Sequence, residues 1–262
     1  MQKKNIFWLV SMVVLIGISI VFFSLFRKND DTVEFYDYTT AKDKYEDVKA
    51  WINIPNTRVN YPIMQHKTDN AYYHNRDEKG ELVKYGSIYS YKNVKFDGDN
   101  KDKNLIIYGH NMGSGSHFAT LQNFSSLEFY KQNPYIEFET SESKDKYVVV
   151  GAFYTSTIKQ EDNEYRFNYH SYNNFTPESF SHWKKEIDRR NMYITGMDYT
   201  IDDEFITLQT CKEAIYYGAT YVVIARKVRE EEIIDTSNFK VNDNMYVPSS
   251  WDVDRIYSLM KW

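Results

Sequence analysis

The chain has 262 residues, with 32 Lys and Arg against 37 Asp and Glu and a formal net charge of −5. That mildly acidic balance, with no Lys/Arg cluster beside exposed aromatics, argues against nucleic acid as a partner. Aromatic residues make up 17% of the chain while Gly and Pro number only 10 and 5, which excludes a low-complexity stalk and predicts a packed domain.

In chain order, a short N-terminus (1–5) precedes Ile6–Phe26, an uncharged apolar run broken only by Ser and Gly. At ~1.5 Å per residue it reaches about 30 Å, the hydrocarbon thickness of a bilayer. The run reads as a transmembrane or uncleaved signal anchor, because a cleavable signal has a shorter apolar centre and small residues at its cleavage site. Lys3 and Lys4 before it and Arg27 and Lys28 after it leave the flanks nearly balanced; the preferred orientation puts the N-terminus inside and the rest outside. Residues 27–40 are polar and read as a stalk. The chain after the apolar run, about 230 residues, suits one all-β domain.

Thr40 and Asp43 resemble a capping box, with Tyr45, Val48 and Trp51 giving a short helix its apolar face. From Ile52 the pattern turns β: Ile52–Asn56 ends in a turn, and Val59–Met64 follows. Further strand candidates are Gly86–Tyr91, Asn104–Tyr108, Tyr135–Glu139 and Tyr147–Phe153. One long helix interrupts them. Thr176 is its N-cap, Pro177 its first residue and Glu178 lies in its first turn; Phe180, Trp183 and Ile187 share a face, and Lys184, Lys185, Glu186, Asp188, Arg189 and Arg190 fill the rest. This helix covers the barrel or walls a substrate groove. Glu204 to Cys211 alternates with period two, and Tyr221–Val228 is β-branched and aromatic enough to be its partner strand. With no strand–helix–strand rhythm, an antiparallel or mixed barrel is expected.

Cys211 is the only cysteine, so it forms no internal disulfide and is either a small buried hydrophobe or a reagent. It sits where a strand runs out, fixed on one side and followed by a loop. His110 occupies a similar place, after Asn104–Tyr108 and within the turn Gly109–Gly115. A thiol with such a histidine suits acyl transfer, the imidazole taking the thiol proton or protonating a leaving amine. His117 competes for that role on spacing alone. No set of His, Cys, Asp and Glu has metal-ligand spacing.

The run Thr207-Leu208-Gln209-Thr210-Cys211 resembles the cysteine signature of sortases, and Tyr108-Gly109-His110-Asn111-Met112 resembles their histidine motif. Trp51–Thr57, Tyr61-Pro62-Ile63, Gly86-Ser87-Ile88 and the helix Thr176–Arg190 are similar to class B sortases in particular. The resemblance implies a mainly β fold: a closed eight-stranded barrel with an N-terminal helix and a long helix between strands six and seven, the catalytic domain spanning 41–229. It implies a cysteine transpeptidase in which Cys211 attacks a C-terminal sorting motif of a secreted protein. The resulting thioester passes to an amine of peptidoglycan precursor or of a pilin, with His110 as acid and base. No cofactor is implied, and no acidic cluster suggests calcium.

Two departures stand out. Where sortases carry an arginine at the start of the strand after the cysteine, this chain has Thr220. Arg226 lies six residues on, about 20 Å at ~3.3 Å per residue, and reads as an exposed strand-end charge. The loss of the cation implies compensation, for example by Arg166, or a weakened sortase-like protein that binds peptides without turning them over. The second departure is the extension 230–262. Ser249 and Asp252 suggest a cap, and Val253, Ile256, Tyr257 and Met260 an apolar stripe. It is expected either to pack back on the barrel or to cover the groove or dock a partner, in the latter cases being removable from Thr236 to Trp262 without unfolding.

Overall fold

The computed structural model describes residues 37–156, 165–211, 218–248, 251 and 253–260. The apolar run Ile6–Phe26 lies outside them, and among the described residues no helix is long and apolar enough to cross a membrane.

The first helix, α1 (Tyr38–Lys44), is capped by Asp37, whose carboxylate accepts the Thr40 N–H at 2.8 Å. Thr40 is therefore inside the first turn, and the expected cap lies three residues too late. Tyr45 is already extended, and Val48 and Trp51 belong to strand β1 (Val48–Asn53) and not to a helix. The spacing of those residues fits both periods, and the pairing of Val48–Asn53 with two neighbouring strands decides for β.

Among the described residues seven strands form one sheet: β1, β2 (Asn60–Met64), β3 (Asn104–Tyr108), β4 (Tyr135–Glu139), β5 (Lys144–Ser156), β7 (Phe205–Cys211) and β8 (Ala219–Lys227). Their order is β2-β1-β4-β5-β8-β7-β3, antiparallel throughout except for the parallel pair β3–β7. The sheet is thus mixed. The short strands β6 (Tyr193–Ile194) and β9 (Lys240–Val241) pair separately. A short helix, α2 (Leu127–Gln132), capped by Ser126, leads into β4.

The expected strand Gly86–Tyr91 is reduced to isolated bridges, which leaves seven strands where eight were expected. Those bridges nonetheless join the two sheet edges. Met64 N–H donates to Ile88 O at 2.9 Å and Ser90 N–H to Met64 O at 2.9 Å, while Tyr89 and Tyr108 exchange bonds of 2.9 and 2.8 Å. The short segment Ile88–Ser90 so nearly closes the barrel and covers edges that would otherwise be open. Counted as a strand, it puts the long helix between the sixth and seventh.

Both faces of the sheet are buried. Inside lie Ile52, Ile107, Ile136, Val149, Leu208 and Val223 among others. On the outer face Val148, Phe153, Phe205, Val222 and Ile224 are covered by α3 (Pro177–Arg190), through Phe180, Trp183 and Ile187. This explains why β8 reads as a continuous apolar run and not an alternating one. Helix α3 starts as its sequence indicates, with Thr176 and Ser179 forming reciprocal cap bonds and Pro177 at its first position. A Cβ on Gly151 would come within 2.9 Å of Ile187 Cγ2, so the helix rests on a position where β5 carries no side chain. Glu186 and Arg190 are buried and paired with each other, although their spacing reads as surface.

The tail is part of the core. Phe239, Met245, Trp251, Ile256 and Met260 join the interior cluster, the last two from α4 (Val253–Leu259) and the residue following it. Arg226, expected as an exposed charge, is fully buried and forms a bidentate pair with Glu232 at 2.9 and 2.5 Å. The acidic run after β8 folds back and supplies the counter-charge, so burial does not leave the guanidinium unpaired. The tail residues are also too buried for a removable cover. Deleting Thr236–Trp262 takes away five core side chains worth about 2–5 kcal/mol each, against a total stability of about 5–15 kcal/mol. The truncated chain is expected to lose its cooperative thermal transition by circular dichroism; a transition retained near the full-length midpoint would contradict this placement.

Candidate active site

The parallel pairing of β3 and β7 runs from Asn104 opposite Phe205 to Tyr108 opposite Gln209. Because the strands are parallel, their C-terminal ends fall at one edge. Cys211 is two residues past Gln209 and His110 two residues past Tyr108, so one register delivers both to the same place. Cys211, the last residue of β7, is exposed, which rules out the buried reading of its thiol.

Backbone and side-chain bonds fix this junction. Gly109 N–H donates to Gln209 O at 3.1 Å, and Asn111 Nδ2 donates to Cys211 O at 2.9 Å. A Cβ at Gly109 would meet Ile88 and Phe118 side chains at 2.5 and 2.7 Å, so only glycine lets the chain pass so close to the barrel wall. Phe118 N–H returns to His110 O at 3.0 Å. His110 and Cys211 then line one concavity with His74, Tyr89, Tyr108, Gly109 and Gln209.

His110 Nε2 bonds the His74 backbone carbonyl at 2.7 Å. A carbonyl only accepts, so Nε2 carries a proton and the other ring nitrogen is left for exchange. The two imidazole rings lie 4.5 Å apart. Burial, and then the charge of His110, hold His74 below the usual histidine range, favouring its neutral form beside His110. His117, the rival on spacing, is tied through Nε2 to Gly86 O at 3.1 Å, stacks on Tyr61 and does not line the concavity.

Behind the concavity stands an aromatic layer. Tyr108 OH bonds His170 Nδ1 at 3.0 Å and stacks on Tyr91. Tyr169, fully buried, donates its hydroxyl to Gln209 Oε1. Burial, then the charge of Arg166, pushes His170 down to about 4. Arg166 itself is exposed, on the segment leading to Tyr169. Thr220 is opposite Cys211 in the β7–β8 register, buried, with its hydroxyl donated to Thr155 O at 3.2 Å. Arg226, opposite Phe205, is at the far end of that ladder and paired with Glu232. No Lys or Arg among the described residues lines the concavity. Helix α3 does not line it either; its contribution is to hold the outer face on which Tyr169 packs.

His74, Tyr169 and Gln209 escaped the reading of the sequence. Gln209 alone carried a signal, since the two-residue strand period puts it on the same face as Cys211.

A nearly closed mixed barrel, with an exposed cysteine and a histidine at the shared end of a parallel strand pair, is an arrangement that suits a thiol acyltransferase. The chain belongs to the sortase family: the family model described as Sortase domain matches residues 52–228. It is 28% identical over 183 residues to sortase B of Staphylococcus aureus, covering 70% of each chain. With sortase B of Listeria monocytogenes the identity is 29% over 186 residues, again covering 70% of each. A crystal structure of Staphylococcus aureus sortase B superposes with a TM-score of 0.63 at 26% identity, covering 73% of this chain and 86% of that one. The similarity supports class B, the chain being a cysteine transpeptidase.

A histidine held neutral in the fold and charged when unfolded favours the unfolded state as acid is added. For His170 the loss begins near its ordinary value of 6.5 and is complete near 4. The urea midpoint is therefore expected to fall across that interval, and His170→Asn should flatten part of the fall. Equal pH dependence in both proteins would refute the assignment.

Proposed function

We propose that this chain is a membrane-anchored sortase B-type transpeptidase with Cys211 as nucleophile and His110 as its acid and base. The observation that carries this reading is the β3–β7 register, which ends in both residues at one concavity. The Cys211 thiolate attacks the carbonyl carbon of the scissile peptide bond in a C-terminal sorting motif. The carbonyl π pair moves to oxygen and returns as the C–N bond breaks, while His110 gives a proton to the leaving nitrogen. The thioester retains the energy of the cleaved bond, so an incoming amine, from peptidoglycan precursor or a pilin, completes transfer without ATP. His110 takes back a proton from that amine.

Peptide and amine as the two substrates are supported by relatives solved as a Staphylococcus aureus sortase B–substrate complex and as sortase B complexed with triglycine. Anchorage through Ile6–Phe26, with the stalk 27–40 and the catalytic domain outside the cell, rests on hydropathy and flanking charge. Thr220 favours a second reading, a weakened sortase-like protein that captures peptides without turning them over.

The test incubates the chain with a panel of sorting-motif peptides and examines intact mass before and after hydroxylamine. An adduct that hydroxylamine removes and Cys211→Ala abolishes is the expected result. Peptide binding without any adduct across the panel would replace this reading with the second.

A further inference from the structure

Among the described residues the concavity has no Lys or Arg where the resemblance led us to expect a cation, yet attack on a carbonyl creates an oxyanion that needs a donor. Thr220 does not supply it, since its hydroxyl is buried and given to Thr155 O. Of the other described side chains lining the concavity, the hydroxyls of Tyr89 and Tyr108 bond His74 and His170 at 3.4 and 3.0 Å, and Gln209 offers an amide. It lies two positions before Cys211 on the same face of β7, about 6–7 Å away along the strand, and lines the concavity beside Cys211 and His110.

The orientation of its amide is set from behind. Tyr169 OH, in a fully buried position, donates to Gln209 Oε1. With the phenol proton given to Oε1, the amide oxygen faces the buried side and the Nε2 hydrogens turn the other way. Nε2 has no hydrogen-bond partner among the described residues. Its reach also fits an oxyanion donor, because the side chain starts only two strand positions from Cys211 and the carbonyl carbon under attack lies about 3–3.5 Å from the sulfur.

We infer that Gln209 is the donor to the substrate carbonyl in this enzyme, a neutral replacement for the missing cation, and that Tyr169 is the residue that positions it. The inference rests on Cys211 being the nucleophile. When sulfur bonds to the carbonyl carbon and the π pair goes to oxygen, Gln209 Nε2–H holds that oxygen until the pair returns and the leaving group departs. A neutral amide stabilises the charge less than a guanidinium does, but Oε1 is already occupied, so no rotamer search is needed when the charge forms.

Two reagents separate this role from a structural one without knowledge of the sorting motif. 4-Nitrophenyl acetate acylates a thiol through an oxyanion, whereas iodoacetamide alkylates it by direct displacement and forms none. In the full chain, Gln209→Met is expected to slow the nitrophenolate burst by about 10²-fold, the usual cost of losing an oxyanion donor, with alkylation of Cys211 unchanged. Tyr169→Phe keeps the ring and frees the amide; it should slow acylation less, and should add nothing in the Gln209→Met background, because it acts through Gln209. Acylation unaffected by Gln209→Met, falling in step with alkylation, or losing the two effects additively in the double variant would overturn the assignment. Cys211 inert to both reagents would instead overturn the functional reading, and the Gln209 role with it.

Discussion

The structure depends on one long-range pairing, the five-residue parallel ladder between β3 and β7. Parallel strands share the direction of their ends, so residues a fixed distance beyond the last pair emerge together. An antiparallel pairing of the same two strands would send His110 and Cys211 to opposite ends of the barrel. The slip of a single residue would also fail, since it moves every side chain of one strand to the other face. Register is held because β7 is paired on both sides, with β3 and with β8, and because Gly109 and Asn111 continue the contact beyond the strands.

Around that ladder the molecule is arranged in shells. The Ile88–Ser90 bridge closes the sheet beside Tyr108, so β3 is not an open edge. Helix α3 and the segment containing Phe167 and Tyr169 seal the outer face, and the tail completes the interior from the other side. Charges in these layers are matched where they are buried: Arg226 with Glu232, and Arg190 with Glu186. At the concavity the matching is of another kind, made of tyrosines, imidazoles and one amide. Thus the groups beside Cys211 rely on hydrogen-bond direction where a guanidinium would rely on charge.

Much of the frame was legible in the sequence. β3 and β4 have the bounds that alternation and flanking turns indicate, and α3 follows from Thr176, Pro177 and its apolar face. The Cys211 and His110 motifs were visible as motifs, but not the reason they meet, because parallel pairing across about a hundred residues leaves no local pattern. Local reading failed where two periods coincide, as at Val48 and Trp51, and where a segment is too short to pair regularly, as at Ile88–Ser90. It also failed wherever burial depends on a distant partner. Arg226 and Arg190 look solvent-exposed until Glu232 and Glu186 are seen beside them, and a polar tail gives no sign that Phe239 and Trp251 fill the barrel.

The ladder puts Cys211 and His110 at one concavity, and the coupling proposed between them is the claim on which the account stands. The measurement that bears on it directly is the pH dependence of Cys211 alkylation in the full chain and in His110→Ala, followed by intact mass. A thiol beside an exchanging imidazole has its ionisation tied to that ring. The midpoint of the alkylation profile is therefore predicted to move when His110 is removed. Superimposable profiles would mean that Cys211 titrates alone, and the shared edge of β3 and β7 would then not be a catalytic site.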